Sequence, residues 1–173
     1  MSEFWLLFLA LTLIISSFCP YFWCGSSCKI MTIPSIRFNF LIAASLTDRT
    51  RLKKFIGKMV KKEGKPLAAL QYIFCSDAYL LAMNREYLHH DFFTDIITFN
   101  LTEKSQPINA EIYISVDRVR ENAANYNSSF KKEFHRVVFH GILHLCGYKD
   151  KKPKDAQLMR QMEDKWLKSY FGA

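Results

Sequence analysis

The stretch Phe139–Asp150, FHGILHLCGYKD, decides how the rest of the chain is read. It carries His140 and His144 four residues apart, then Gly147, then Asp150. On an α-helix, residues i and i+4 stack on one face, so two imidazoles reach a single ion. A glycine three residues later takes the left-handed conformation that ends a helix and turns the chain back. The register is that of H-E-x-x-H-x-x-G-x-x-H, a zinc-peptidase pattern, with two changes. Gly141 stands where that pattern has glutamate, and Asp150 where it has its last histidine.

A carboxylate is a legitimate zinc ligand, and two histidines with one carboxylate leave a fourth position open, which is the catalytic arrangement. His135 is the rival third ligand. Five residues before His140, it points about 140° away around the helix and is disfavoured. A bare H-x-x-x-H is common on ordinary helices; Gly147 and Asp150 are what raise this one above that reading. Gly141 removes the peptidase base, so the proton acceptor lies elsewhere or is a substrate phosphate. A glycine there also lets another backbone or a ligand approach closely.

Outward from this helix, the pattern alternates between strands and helices. SIRFNFLI alternates at Ile36, Phe38 and Phe40 and predicts a strand. Thr47 or Asp48 caps a helix running to about Glu63, with Leu52, Phe55, Ile56, Met59 and Val60 inward and Gly64 as its stop. Its outer lysines, Lys53, Lys54, Lys58, Lys61 and Lys62, are solvated charge or a polyanion contact. LAALQYIFC, TDIITFNL and AEIYISV read as further strands, and SDAYLLAMNREYL and SVDRVRENAANYN as helices. The histidine helix starts at Ser128 or Ser129 and buries Phe134, Val137, Val138, Gly141 and Leu145. A last helix runs from about Pro153 to Tyr170. The expected fold is α+β: one domain, a small mixed sheet of about four strands, about five helices, and a zincin-like metal site at a helix C-terminus.

The chain has 173 residues, half of them hydrophobic, and a formal net charge of +8. That composition excludes disorder and allows a real core. Glu3 and Lys29 cancel, so residues 31–173 carry the whole excess, as plain solubility charge or for a polyanion such as RNA. Residues 1–30 do not match the rest. FWLLFLALTLII is shorter than the ~20 apolar residues a membrane span needs. The segment lacks the basic start and small-residue cleavage site of a leader. The reading preferred here is that the domain starts at Met31 and the apolar segment is a mis-assigned start; a leader or anchor is the alternative. Of five cysteines only Cys75 and Cys146 fall in the body, which implies a reducing compartment.

HGILHLCGYKD is similar to the H-G-x-L-H-L-x-G-Y-D-H signature of the YbeY family of metal-dependent endoribonucleases. Three further stretches resemble that family in its order. MNREYLHHDFFTDIITF matches through Asn84, Tyr87, Asp91, Thr94, Asp95 and Phe99; AEIYISVDRVRENA matches with Glu111 at the acidic position; and Glu163 falls in the acidic stretch of the final helix. It departs in two places: Asp150, preceded by Lys149, replaces the third histidine, and Leu88 replaces an arginine that the family uses toward RNA phosphate. Arg85 and Arg136 are the candidates to stand in for that arginine as RNA contacts; a surface pair such as Arg136 with Glu133 is the rival reading. His89 and His90 are near the RNA cleft or are plain loop histidines, and Thr94 and Asp95 look structural.

The resemblance implies one zinc ion per chain on His140, His144 and Asp150, with His140 and His144 catalytic. It implies cleavage of single-stranded precursor rRNA, maturation of the 16S 3′ end, ribosome quality control, the small subunit as partner, a cytoplasmic location and no stable membrane association. Two alternatives stand beside it. A zincin-like metallopeptidase is opposed by Gly141. A non-catalytic, ribosome-associated metal-binding protein would close the ion with a fourth ligand such as Cys146.

Overall fold

The computed structural model describes residues 34–44 and 46–172. The reading of residues 1–30 lies outside them. Along the chain come β1 (Ser35–Phe40), α1 (Arg49–Lys62), β2 (Leu67–Cys75), α2 (Asp77–Leu88), β3 (Ile96–Asn100), β4 (Ile108–Ser115), α3 (Val116–Asn125), α4 (Phe130–Cys146) and α5 (Pro153–Phe171). Among the described residues this is the expected α+β domain of four strands and five helices. Strand order is β1-β2-β4-β3; β1, β2 and β4 run parallel, and β3 is antiparallel to β4.

Period-two patterning decides which residues face which layer. Ile112 and Ile114 of β4 point into the main core with α1, α4 and α5, whereas Tyr113 packs with Cys75, Ile97 and Leu80 under α2. The helix starts follow side-chain chemistry. Ser76, Ser115 and Ser129 each accept a hydrogen bond from a backbone N–H in the first turn of α2, α3 and α4. The start of α1 differs from expectation. Asp48 occupies the cap with φ 58°, and its side chain makes no capping bond. Caps that work through the side chain need an extended backbone, and Asp48 is left-handed. β3 also begins two residues later than TDIITFNL suggested, because Thr94 turns back to donate to the Ile96 carbonyl.

α4 is the central helix. It ends at Gly147, whose φ of 104° suits glycine alone. Its buried stripe seats it on β3 and β4, and Gly141 is where it comes closest. A Cβ at position 141 would sit 2.8 Å from Ile96 Cδ1 and 3.0 Å from Ile112 Cδ1. The close approach that glycine permits is therefore made by sheet side chains, not by a ligand. A glycine inside a helix costs about 1 kcal/mol against alanine in propensity, so packing is what favours it here.

Gly141→Ala is expected to lower stability by about 1–2 kcal/mol despite its better helix propensity, because overpacking a tight core outweighs the gain. Urea unfolding of the two proteins checks this. A more stable alanine variant would contradict the close seating of α4.

Candidate metal centre

Helix geometry places His140 and His144 one turn apart on α4, and the Gly147 turn brings Asp150 back over them. Their Nε2 atoms are 2.9 Å apart. Asp150 Oδ2 lies 3.5 Å from His140 Nε2 and 3.4 Å from His144 Nε2. Among the described residues these are the three that bring donor atoms together in this way. Ligand atoms at zinc's ~2.0–2.1 Å bond lengths in a tetrahedron lie roughly 3.3 Å apart, so the triangle fits a single ion.

The remaining ring nitrogens also fit. His140 Nδ1 is 2.6 Å from Glu163 Oε1, and His144 Nδ1 is 3.0 Å from the Tyr148 carbonyl. Both partners are acceptors, so each Nδ1 carries the proton and each Nε2 turns its lone pair toward Asp150. Two lone pairs and a carboxylate oxygen at such distances repel one another unless a cation lies among them. Burial, with His140 beside it, also holds His144 below the usual histidine range, which favours the neutral, ligating form.

Glu163 is the residue that sequence reasoning did not assign a role. It is 4% exposed, on α5, and its second oxygen accepts a hydrogen bond from Arg136 Nη1 at 3.2 Å. Burial alone would raise its pKa; the His140 hydrogen bond and the Arg136 charge outweigh that and hold it below the ordinary glutamate value. The available signal was positional: Glu163 stands between Met159 and Trp166 in the apolar stripe of α5. A charge in such a stripe needs a partner.

Arg136 lines a cleft of about 460 Å³ together with His140, Asp150 and Glu163. Its guanidinium is already held by Glu133 at 2.6 Å, Glu163 at 3.2 Å and Asp95 at 3.6 Å. Burial opposes its charge, but these carboxylates keep it above the ordinary arginine value. Arg85 is elsewhere, exposed at the end of α2 and paired with Asp91 at 2.6 Å. Leu88 is 43% exposed nearby, and His89 and His90 are exposed. His135 faces away from the triangle: it is buried, bonds the Lys131 carbonyl through Nδ1 and stacks on Tyr170. Cys146 is half-buried, lies beside Glu63 and Tyr148 rather than with the donors, and burial helps push its thiol up to about 11.

Zinc binding is expected to fall strongly in His140→Ala and His144→Ala, to weaken in Asp150→Ala and to be kept or raised in Asp150→His. Glu163→Gln should cost about 10–100-fold in affinity through the orientation of His140 alone. Competition titration against a chromophoric chelator reads all five. Wild-type affinity in Glu163→Gln would remove its orienting role.

The family model of endoribonuclease YbeY matches residues 42–171. An endoribonuclease YbeY of Cytophaga hutchinsonii is 49% identical over 119 residues, 69% of this chain and 83% of that protein. One of Flavobacterium psychrophilum is 42% identical over 135 residues, 78% of this chain and 96% of that one. The solution structure of a Thermotoga maritima protein superposes with a TM-score of 0.55 at 31% identity, covering 79% of this chain and 89% of that one. Matches of this length and identity lead to one conclusion: the chain belongs to the endoribonuclease YbeY family.

Proposed function

We propose that this protein is a zinc-dependent endoribonuclease that cuts single-stranded precursor rRNA, at the 3′ end of the 16S molecule, and serves ribosome quality control. The observation that carries the reading is the donor triangle of His140, His144 and Asp150 on a helix whose position 141 has no carboxylate. A zinc ion held by these three residues supplies Lewis-acid polarisation of a phosphodiester oxygen and acidifies a water. The chain's own residues do the rest. Glu163 keeps the proton on His140 Nδ1, and the Tyr148 carbonyl keeps it on His144 Nδ1. Arg136, with Glu133, Glu163 and Asp95 around it, acts on the RNA indirectly by steadying Glu163. Arg85 is the direct phosphate contact in this reading, since an exposed pair such as Arg85–Asp91 is worth little and a phosphate displaces it readily.

The rest of the assignment follows the same line. Among the described residues no helix is long and apolar enough to cross a membrane. The free thiols Cys75 and Cys146 fit a reducing compartment, and the reading places the protein in the cytoplasm on the small ribosomal subunit. Peptide hydrolysis is disfavoured because position 141, where a zinc peptidase carries its glutamate base, is a glycine packed against Ile96 and Ile112 of the sheet.

Purified protein is expected to cleave single-stranded RNA and leave casein intact. Chelation should stop cleavage and zinc should restore it. His140→Ala should lose cleavage but still bind RNA in a gel-shift assay. Cleavage that survives both chelator and His140→Ala would overturn the assignment.

A further inference from the structure

The cleft beside the metal donors does not end there. A second cavity, of about 680 Å³, is lined by residues from the first turn of α4 and the last turns of α5. The two cavities share Lys132, Asp164 and Leu167 and so form one crevice, with α4 as one wall and α5 as the other. It begins at His140 and Asp150 and ends at Lys131, Lys168 and Phe171. Lys132 is eight residues from His140, roughly 12 Å along the helix at about 1.5 Å per residue, which is more than one nucleotide's reach.

The charges within it are unequally spent. Glu133 and Glu163 are both bound to Arg136, and Glu163 also to His140. Lys131, Lys132, Arg160 and Lys168 are exposed and in no ion pair among the described residues. Against these four stand Asp164 and, among the metal donors, Asp150. The same asymmetry holds on a larger scale. Residues 122–173, which supply both walls, carry ten bases and five acids, whereas residues 77–121 carry four bases and eight acids. The exposed rings of the latter segment, Tyr79, Tyr87, Phe92 and Phe93, therefore stand on a segment of net negative charge, with Arg85 and Arg118 as its local cations. The crevice has its own exposed rings: Tyr126, 64% exposed, at the metal-side cavity and Phe171, 38% exposed, at the far one.

We infer that the α4–α5 crevice is the bed of a single RNA strand leading away from the metal centre, its phosphates on Lys131, Lys132, Arg160 and Lys168 and its bases against Tyr126 and Phe171. This rests on the endoribonuclease reading for the identity of the strand. Free cations along a groove with exposed rings are the general means of holding a single strand without reading its sequence.

The test measures binding of a ~20-nucleotide single-stranded RNA, long enough to occupy such a groove. All proteins are full-length, and in the binding measurements all carry His140→Ala to prevent cleavage, while cleavage is read on the protein with His140 intact. The triple variant Lys132→Gln, Arg160→Gln, Lys168→Gln should bind at least about tenfold more weakly, with the slope of log K against log salt reduced by about 2. Lys54→Gln, Lys58→Gln, Lys61→Gln on α1 removes equal charge outside the crevice and should change binding by less than about threefold. RNA containing 2-aminopurine should be quenched on binding, and the quenching should drop in Phe171→Ala with Tyr126→Ala. Equal weakening by the two triples would mean bulk charge and overturn the crevice, as would unchanged quenching. The two readings fail separately. Cleavage by wild type with normal RNA binding by the crevice variants sinks the crevice alone. Crevice-dependent RNA binding in the His140→Ala background, with no cleavage by wild type, sinks the endoribonuclease reading alone.

Discussion

The site depends on one buried carboxylate. Glu163 reaches across from α5 and divides its two oxygens between His140, 2.6 Å away, and Arg136, 3.2 Å away. A carboxylate this deep is tolerable only when fully partnered, and removing one member of a buried pair costs about 3–5 kcal/mol. The same contact therefore performs two tasks. It locks the final helix to the histidine helix, and it fixes which nitrogen of His140 is free to bind a metal. Arg136 extends the arrangement to Glu133 on its own helix and to Asp95 at the entry to β3, so the last helix, the central helix and the sheet edge are tied to one charge cluster.

Packing and chemistry also meet at Gly141. The face of α4 that bears the histidines adjoins the face that seats on β3 and β4, and the glycine marks a point of close approach. In a peptidase of similar register a glutamate at this position would serve as base. Here the residue is glycine, and the space beside it is filled by Ile96 and Ile112.

Much of this was legible in the chain. Period-two runs at Ile36–Phe40 and Ile112–Ile114 and the serine caps at Ser76 and Ser129 mark local structure, and local structure follows from neighbours in sequence. The spacing of His140, His144, Gly147 and Asp150 was likewise enough to bring the donors together, because a single helix turn and its stop do all the work. What local patterning could not convey was pairing across the fold. Glu163 is 23 residues from His140, and Asp95 is 41 from Arg136; nothing near either residue names its partner. For the same reason the sequence offers Arg136 its near neighbour Glu133 as a partner but not Glu163 or Asp95, which also hold it. The cap at Asp48 looked ordinary by residue type and is not, since the backbone there is left-handed and the type alone does not reveal it.

The central claim is that the donor set is two imidazoles and one carboxylate with a position left over, and not a closed structural site that recruits Cys146. X-ray absorption at the zinc edge of the loaded protein tests it most directly. The account predicts only nitrogen and oxygen neighbours at about 2.0–2.2 Å, with outer-shell scattering from two imidazoles and a fourth light atom from water. A sulfur neighbour at about 2.3 Å would contradict it.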